Sequence, residues 1–256
     1  MSNKAAAVES VGFAYREGTW VLRNYSASVS KGSIFAVLGP NGRGKTTLLQ
    51  LLVKSLKPQE GRIVIDGTPA FVPQLFQVSF PYRVLDMVLM GRARQIGLFS
   101  MPSEQDRVVA WEALERLGLE NLAERSFDEL SGGQRQLVIF ARALASGASV
   151  LVLDEPTSAL DMKNQAMVLK WMRDLSRRQG LTVIFSTHHP HHAHAVADEA
   201  LMMLDEQEYH CGPVKEVLTE ANLQRLYEAP LRHVSFEHLG VNRSTFVPVY
   251  EGLDGQ

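Results

Sequence analysis

One cysteine, Cys211, is all that the 256 residues contain, so no internal disulfide can staple the chain. Long apolar runs are also missing, since no stretch approaches the ~18 residues of a membrane span. The opening MSNKAAAVES carries no apolar core of the kind a secretion signal has, and export by that route is not expected. Charge of one sign is not in excess. Against 28 Asp and Glu stand 26 Lys and Arg, and a net charge of −2 offers no broad basic surface for nucleic acid. No internal repeat and no low-complexity tract is present. What remains, 45% apolar and 21% charged residues, is the composition of a folded domain with a substantial core, and the expected setting is the cytoplasm.

The apolar run Ile34 to Leu38, closed by Gly39, reads as a buried strand entering a glycine turn. A helix is predicted from Thr46, with Leu48, Leu49, Leu52, Val53 and Leu56 at helical spacing until Lys57-Pro58. Two short strands are predicted at Arg62 to Asp66 and Ala70 to Val72, together forming an antiparallel β element. Between Arg83 and Gly147 helix signals dominate, among them a capping box at Ser103 and Asp106 and an apolar face of Val109, Ala113, Leu114 and Leu117. Val150 to Leu153 and Thr182 to Ser186 return to apolar strands around a helix carrying Val168, Trp171, Met172 and Leu175. Strands alternating with helices predict an α/β fold with a parallel sheet.

Gly39-Pro40-Asn41-Gly42-Arg43-Gly44-Lys45-Thr46 satisfies the phosphate-loop pattern between a strand and a helix. In a chain of this length a chance match is about one in a hundred. Glycines let successive N–H groups point inward, the following helix presents its positive end, Lys45 reaches the β- and γ-phosphates, and the Thr46 hydroxyl ligates Mg²⁺. The strand VLVL ends in Asp154-Glu155, so both carboxylates emerge at the carboxyl edge of the sheet, where open α/β folds bind ligands. Asp154 is placed to hold Mg²⁺, and Glu155 to polarise an attacking water as general base.

Leu130-Ser131-Gly132-Gly133-Gln134 stands before a helix with Leu137, Val138, Phe140, Ala141 and Leu144. With the phosphate loop, Gln74, VLVLDEP at Val150, SALD at Ser158 and His188, this order of motifs resembles an ATP-binding-cassette ATPase over nearly the whole chain. The fold the resemblance implies is an α/β P-loop NTPase with a mixed central sheet, an N-terminal antiparallel β element and an inserted helical subdomain. That domain would cover residues 1–240, with the insert at about 83–147 and a C-terminal tail at 241–256. The resemblance further implies ATP and Mg²⁺ as cofactors and a head-to-tail homodimer. Ser131, Gly132, Gly133 and Gln134 of one copy would close on the γ-phosphate held by Lys45 of the other. The wider cradle would include Thr47. Gln74 would contact Mg²⁺ or the attacking water, Asp161 would cross the dimer, and His188 would steady the γ-phosphate and the Glu155 water. Tyr15 resembles the aromatic that stacks on adenine, although an aromatic near an N-terminal strand is also often core. Arg43 departs from the family, which usually has a small residue there; its charge either adds to phosphate attraction or lies on the surface.

Five of the eight histidines, His188, His189, His191, His192 and His194, fall within seven residues. With no cysteine or paired carboxylate nearby to complete a tetrahedral set, His189 to His194 are expected to be a solvated helix start rather than a metal site. A bound metal or acid sensitivity of the ATPase is the competing reading. Cys211 is expected to be a buried or half-buried bystander. Val84, Leu85, Val88 and Leu89 are either core alone or, by resemblance to cassette importers, part of the segment Phe76 to Met90 that receives a membrane permease.

Long coiled coils, a second cassette and fused membrane helices are all absent, which favours a stand-alone importer subunit at the cytoplasmic face of the inner membrane. FPYRVLDMVLMGR, Ile96-Gly-Leu-Phe-Ser and DEPTSALD look like the metal-chelate importer group, which serves ferric siderophores, haem, cobalamin and molybdate or tungstate. The tail ANLQRLYEAPL…TFVPVY looks most like the molybdate/tungstate branch. Such an importer would be fed by a periplasmic solute-binding protein. The alternative is a soluble cassette ATPase of the iron–sulfur cluster assembly kind.

Overall fold

The computed structural model describes residues 3–74, 80–97, 100–158 and 160–250. A six-stranded sheet of order β5-β6-β7-β3-β8-β9 forms the centre. Its strands are β3 (Ile34–Leu38), β5 (Pro69–Val72), β6 (Val150–Leu153), β7 (Thr182–Thr187), β8 (Glu199–Met203) and β9 (Tyr209–Pro213). Only the edge strand β9 runs antiparallel. Strands β3, β6 and β7 are buried from end to end, as continuous apolar runs covered on both faces must be.

A second, three-stranded antiparallel sheet joins β1 (Lys4–Arg16), β2 (Thr19–Ser30) and β4 (Glu60–Ile65) in the order β2-β1-β4. The expected pairing of the strands at 62–66 and 70–72 is therefore corrected. β4 pairs with β1, while β5 crosses at Asp66-Gly67 into the central sheet beside β6. The turn chemistry between them redirects the chain from one sheet to the other instead of closing a hairpin.

Helix α1 (Lys45–Leu52) lies between the two sheets and buries Leu48, Leu49, Leu51 and Leu52 in their shared core. It stops earlier than the spacing of Val53 and Leu56 predicts, because Lys54 takes φ +61° and turns the chain away. On the other face of the central sheet a larger core gathers α2 (Val84–Leu89), α3 (Glu104–Glu115), α4 (Gly132–Ala145) and α5 (Met162–Gln179). The Ser103–Asp106 capping box opens α3, and Gly180, at φ +68°, closes α5. Of the segment expected to receive a permease, residues 76–79 lie outside the described residues; so do Leu98 and Phe99, Ala159 and residues 251–256.

The C-terminal part follows α6 (Pro190–Val196) with α7 (Val214–Val217), α8 (Glu220–Tyr227) and a hairpin of β10 (Leu231–His238) and β11 (Val241–Pro248). Residue 240 falls in the two-residue hairpin turn, where Leu239 and Gly240 both have positive φ. The hairpin buries Leu231 and Phe246 in the main core.

Candidate functional site

The carboxyl ends of β3, β6 and β7 lie side by side, so the loops leaving them converge. The loop after β3 carries Gly42 at φ +82° and Gly44 at φ +87°. A side chain at Gly44 would also be excluded by contact, since its Cβ would lie 2.8 Å from Val21 Cγ1. The loop thereby passes directly over β2 into the amino end of α1. Beside it opens a cleft of about 520 Å³ lined by Tyr15, Val21, Asn41, Gly42, Gly44, Lys45, Thr46, Thr47, Gln74 and Glu155.

Lys45 is 5% exposed, and its ammonium donates to the carbonyls of Gly39 (2.9 Å) and Pro40 (3.0 Å). It also lies 3.2 Å from Oε1 of Glu155. A cation so buried has its cost offset by this ion pair and these carbonyls. Oε2 of Glu155 is 3.0 Å from His188 Nδ1 and accepts from Gln74 Nε2 at 3.4 Å. Glu155 itself has φ +43°, an unusual backbone for a residue with a side chain. Its N–H donates to Ser186 Oγ (2.9 Å), which in turn donates to Asp154 Oδ1 (2.6 Å). The other Asp154 oxygen accepts from Thr46 Oγ1 at 2.8 Å. A continuous polar chain thus joins the phosphate loop, the end of β6 and the end of β7.

Tyr15 is 61% exposed at the cleft, packs edge-on against Phe13, and its hydroxyl is 3.1 Å from Thr47 Oγ1. Its ring is a surface feature of the cleft and not core. Arg43 is exposed and does not line the cleft. Its charge acts on Asp205 in the β8–β9 turn, whose carboxyl is held low first by the Glu208 and Gln207 N–H groups and less by Arg43.

Ser131, Gly132, Gly133 and Gln134 are not among the residues lining this cleft. Ser131 and Gln134 cap the amino end of α4 reciprocally, the Ser131 Oγ accepting from the Gln134 N–H and the Gln134 Oε1 from the Ser131 N–H. Gly133 packs on Asn164 of α5, whose N–H donates to Asp161, the cap of that helix. The second glycine-rich surface is therefore built around α4 and α5, apart from the first.

The histidine expectation holds for His191, which is exposed, and needs correction at His192 and His194. His192 is 4% exposed and bonds Thr157 Oγ1 at 3.1 Å, and His194 is half-buried against Ser244 Oγ at 2.9 Å. The short helix α6 packs on both α5 and β11, with the His192 ring turned to Thr157 and the His194 ring to the C-terminal hairpin. Among the described residues no group of His, Cys, Asp and Glu is arranged to hold a metal. Cys211, expected to be buried or half-buried, is exposed on β9. Sequence reasoning missed Ser186 and Tyr227, whose hydroxyl donates to the His188 carbonyl, and named Ser158 only as the start of SALD, not as the group that accepts from Gln74 at 3.1 Å. The available signal for Ser186 was a hydroxyl at the carboxyl end of an apolar strand that neighbours the acidic one.

Strand, phosphate loop and helix, with an aspartate and a glutamate on the adjoining strand end, define a P-loop nucleoside-triphosphatase. Residues 22–158, more than half of the chain, match the family described as ABC transporter. The chain belongs to this family, whose ATP-binding domain binds and hydrolyses ATP. It is 43% identical to the molybdate import ATP-binding protein MolC of Haemophilus influenzae, over 98% of this chain and 99% of that protein. It is 37% identical to a probable iron chelatin transport ATP-binding protein of Helicobacter pylori, over 89% and 94%. A solved metal-chelate type ABC transporter in an inward-facing conformation superposes with a TM-score of 0.94 at 42% identity, covering 98% of this chain and all of that one. No helix of the described residues is long and apolar enough to cross a membrane.

Proposed function

We propose that this chain is the ATP-hydrolysing subunit of an importer for a metal oxyanion or metal chelate, working beneath separate membrane permease subunits. The observation that carries the reading is the shared contact of Lys45 and His188 on Glu155, beside Asp154 and Thr46. Glu155 is placed to draw the proton from an attacking water while His188 orients its carboxylate. Lys45, freed from Glu155 by an arriving triphosphate, holds the γ-phosphate and stabilises the charge that moves onto it. Tyr15, exposed at the rim, is suited to stacking on the base. Thr46, Asp154 and Gln74 present hard oxygen donors of the sort Mg²⁺ prefers and would hold the ion, which would neutralise phosphate charge when bound.

Two copies would complete the site. In one chain the Ser131 surface lies off the cleft, so its helix end and glycine amides are available to the nucleotide of a second copy, with Asp161 beside the junction. Met90 and Gly91 line a cleft of about 410 Å³ together with Phe71 of β5, consistent with a permease seat at the junction of sheet and helical insert. Importer names among the relatives disfavour the soluble iron–sulfur assembly reading, and MolC favours molybdate as the first cargo to try. Peripheral attachment to the cytoplasmic face of the inner membrane and supply by a periplasmic binding protein belong to the same proposal. The test is purification from the native membrane: a polytopic partner should copurify, and the loaded binding protein should raise the ATPase rate. A complex without any membrane protein would overturn the importer reading.

A further inference from the structure

We infer that Tyr227 is a positioning residue for hydrolysis, holding the His188 loop so that its imidazole meets Glu155. The inference rests on the reading of Glu155 and His188 just given. Only His188 and His189 lie between the end of β7 at Thr187 and the start of α6 at Pro190. The placement of the His188 ring is therefore set by very few backbone torsions. The Tyr227 hydroxyl donates to the His188 carbonyl at 2.8 Å, while the ring of the same histidine stands 3.0 Å from Glu155. One residue is thus gripped at its backbone from α8 and at its side chain from β6.

Tyr227 is well suited to this. It occupies the last turn of α8, a helix anchored by buried Leu223 and Leu226 and capped by Thr219. A half-buried phenol still seeks a partner for its hydroxyl, and here the partner is the loop. Burial and, to a lesser degree, the charge of Glu155 push its ionisation above the ordinary range, so it remains a donor across the working pH. The same C-terminal segment takes hold of the following helix a second time, through Ser244 on His194 and the packing of His233 and Phe246 around that ring. Glu220 ties the two grips together, since it opens α8 and accepts from the His233 N–H at 2.7 Å and from Arg232 at 3.0 Å. The tail, whose role the sequence pattern does not show, thereby reaches the catalytic carboxylate in two steps.

The test uses the full-length chain with Tyr227→Phe, which deletes the hydroxyl and keeps the ring, beside His188→Ala as reference. Expected for Tyr227→Phe is a kcat lower by about threefold or more, a KM for Mg·ATP within about twofold of the parent, and faster amide exchange confined to 186–192. A smaller loss or a faster rate would overturn the inference. So would a fall accompanied by rising KM and exchange throughout the domain, which marks general loosening. If His188→Ala itself turns over like the parent, the reading of the site fails; if that variant is impaired and Tyr227→Phe is not, only the positioning role fails.

Discussion

The ammonium of Lys45 lies 3.2 Å from a carboxylate oxygen of Glu155, although one residue belongs to the phosphate loop and the other to the end of β6. Both side chains are almost fully covered, 5% and 10% exposed. On the proposed reading an arriving triphosphate takes this cation from Glu155, so nucleotide binding and release of the proposed base would be one event. Replacing Lys45 with Ala removes a charge-assisted contact that contributes ~1.5–3 kcal/mol, which predicts ATP binding weaker by roughly ten- to a hundredfold. Titration calorimetry checks this, and unaltered affinity would count against the phosphate-loop assignment.

Glu155→Gln separates binding from chemistry. The amide fits the space of the carboxylate but cannot take a proton, and a positioned general base contributes about 10²–10⁴ to rate. Turnover is expected to fall by that order while ATP still binds. If two copies share the nucleotide, light scattering should then find a dimer that persists in ATP and disperses in its absence. Near-normal turnover would remove Glu155 from the base role.

The glycines of the second surface make separate demands. A Cβ at Gly133 would sit 2.8 Å from Asn164 Nδ2, so Gly133→Ala must displace the Asn164 side chain beside the Asp161 cap. A Cβ at Gly132 meets nothing within 4 Å, and in a helical position the change to Ala adds about 0.4–1 kcal/mol of stability. If Gly132 approaches the nucleotide of a second copy, Gly132→Ala should melt no earlier than the parent and yet hydrolyse ATP more slowly. Parental activity in that variant would argue against close approach at this glycine.

Much of this site was legible because its parts are local. The phosphate loop, the acids after VLVL and the Leu130–Gln134 motif are each runs of neighbours in sequence, while the reciprocal Ser131–Gln134 cap that opens α4 emerged only with the fold. The long strands β1 and β2 were implied by the resemblance, as an N-terminal antiparallel β element, but not by pattern, because their pairing is broken by repeated register shifts, with Ser10 and Asn24 at positive φ, so no clean alternation survives. β4 and β5 looked like partners because they are adjacent in the chain; which sheet each joins depends on β1 and β6, which are distant. Tyr227 and Ser186 act through residues 39 and 31–32 positions away, separations at which pattern carries no signal.

The histidines give the last prediction. Burial, reinforced by the charges that neighbouring imidazoles would carry, lowers His192 from 6.5 to about 3 and His189 to about 4. Both are therefore neutral in the folded chain at pH 5, whereas the unfolded chain takes up protons below 6.5. The unfolded state binds more protons in this window, so stability is complete above about pH 6.5 and is lost as pH falls toward the folded values. For His192 alone the loss between pH 7 and 5 is about 2 kcal/mol. His192→Asn keeps an oxygen able to accept from Thr157 Oγ1 and does not titrate. Urea unfolding at the two pH values should therefore show a smaller acid loss in the variant, by about that amount. Equal losses in the two proteins would mean that His192 is protonated in the fold and not held neutral against Thr157.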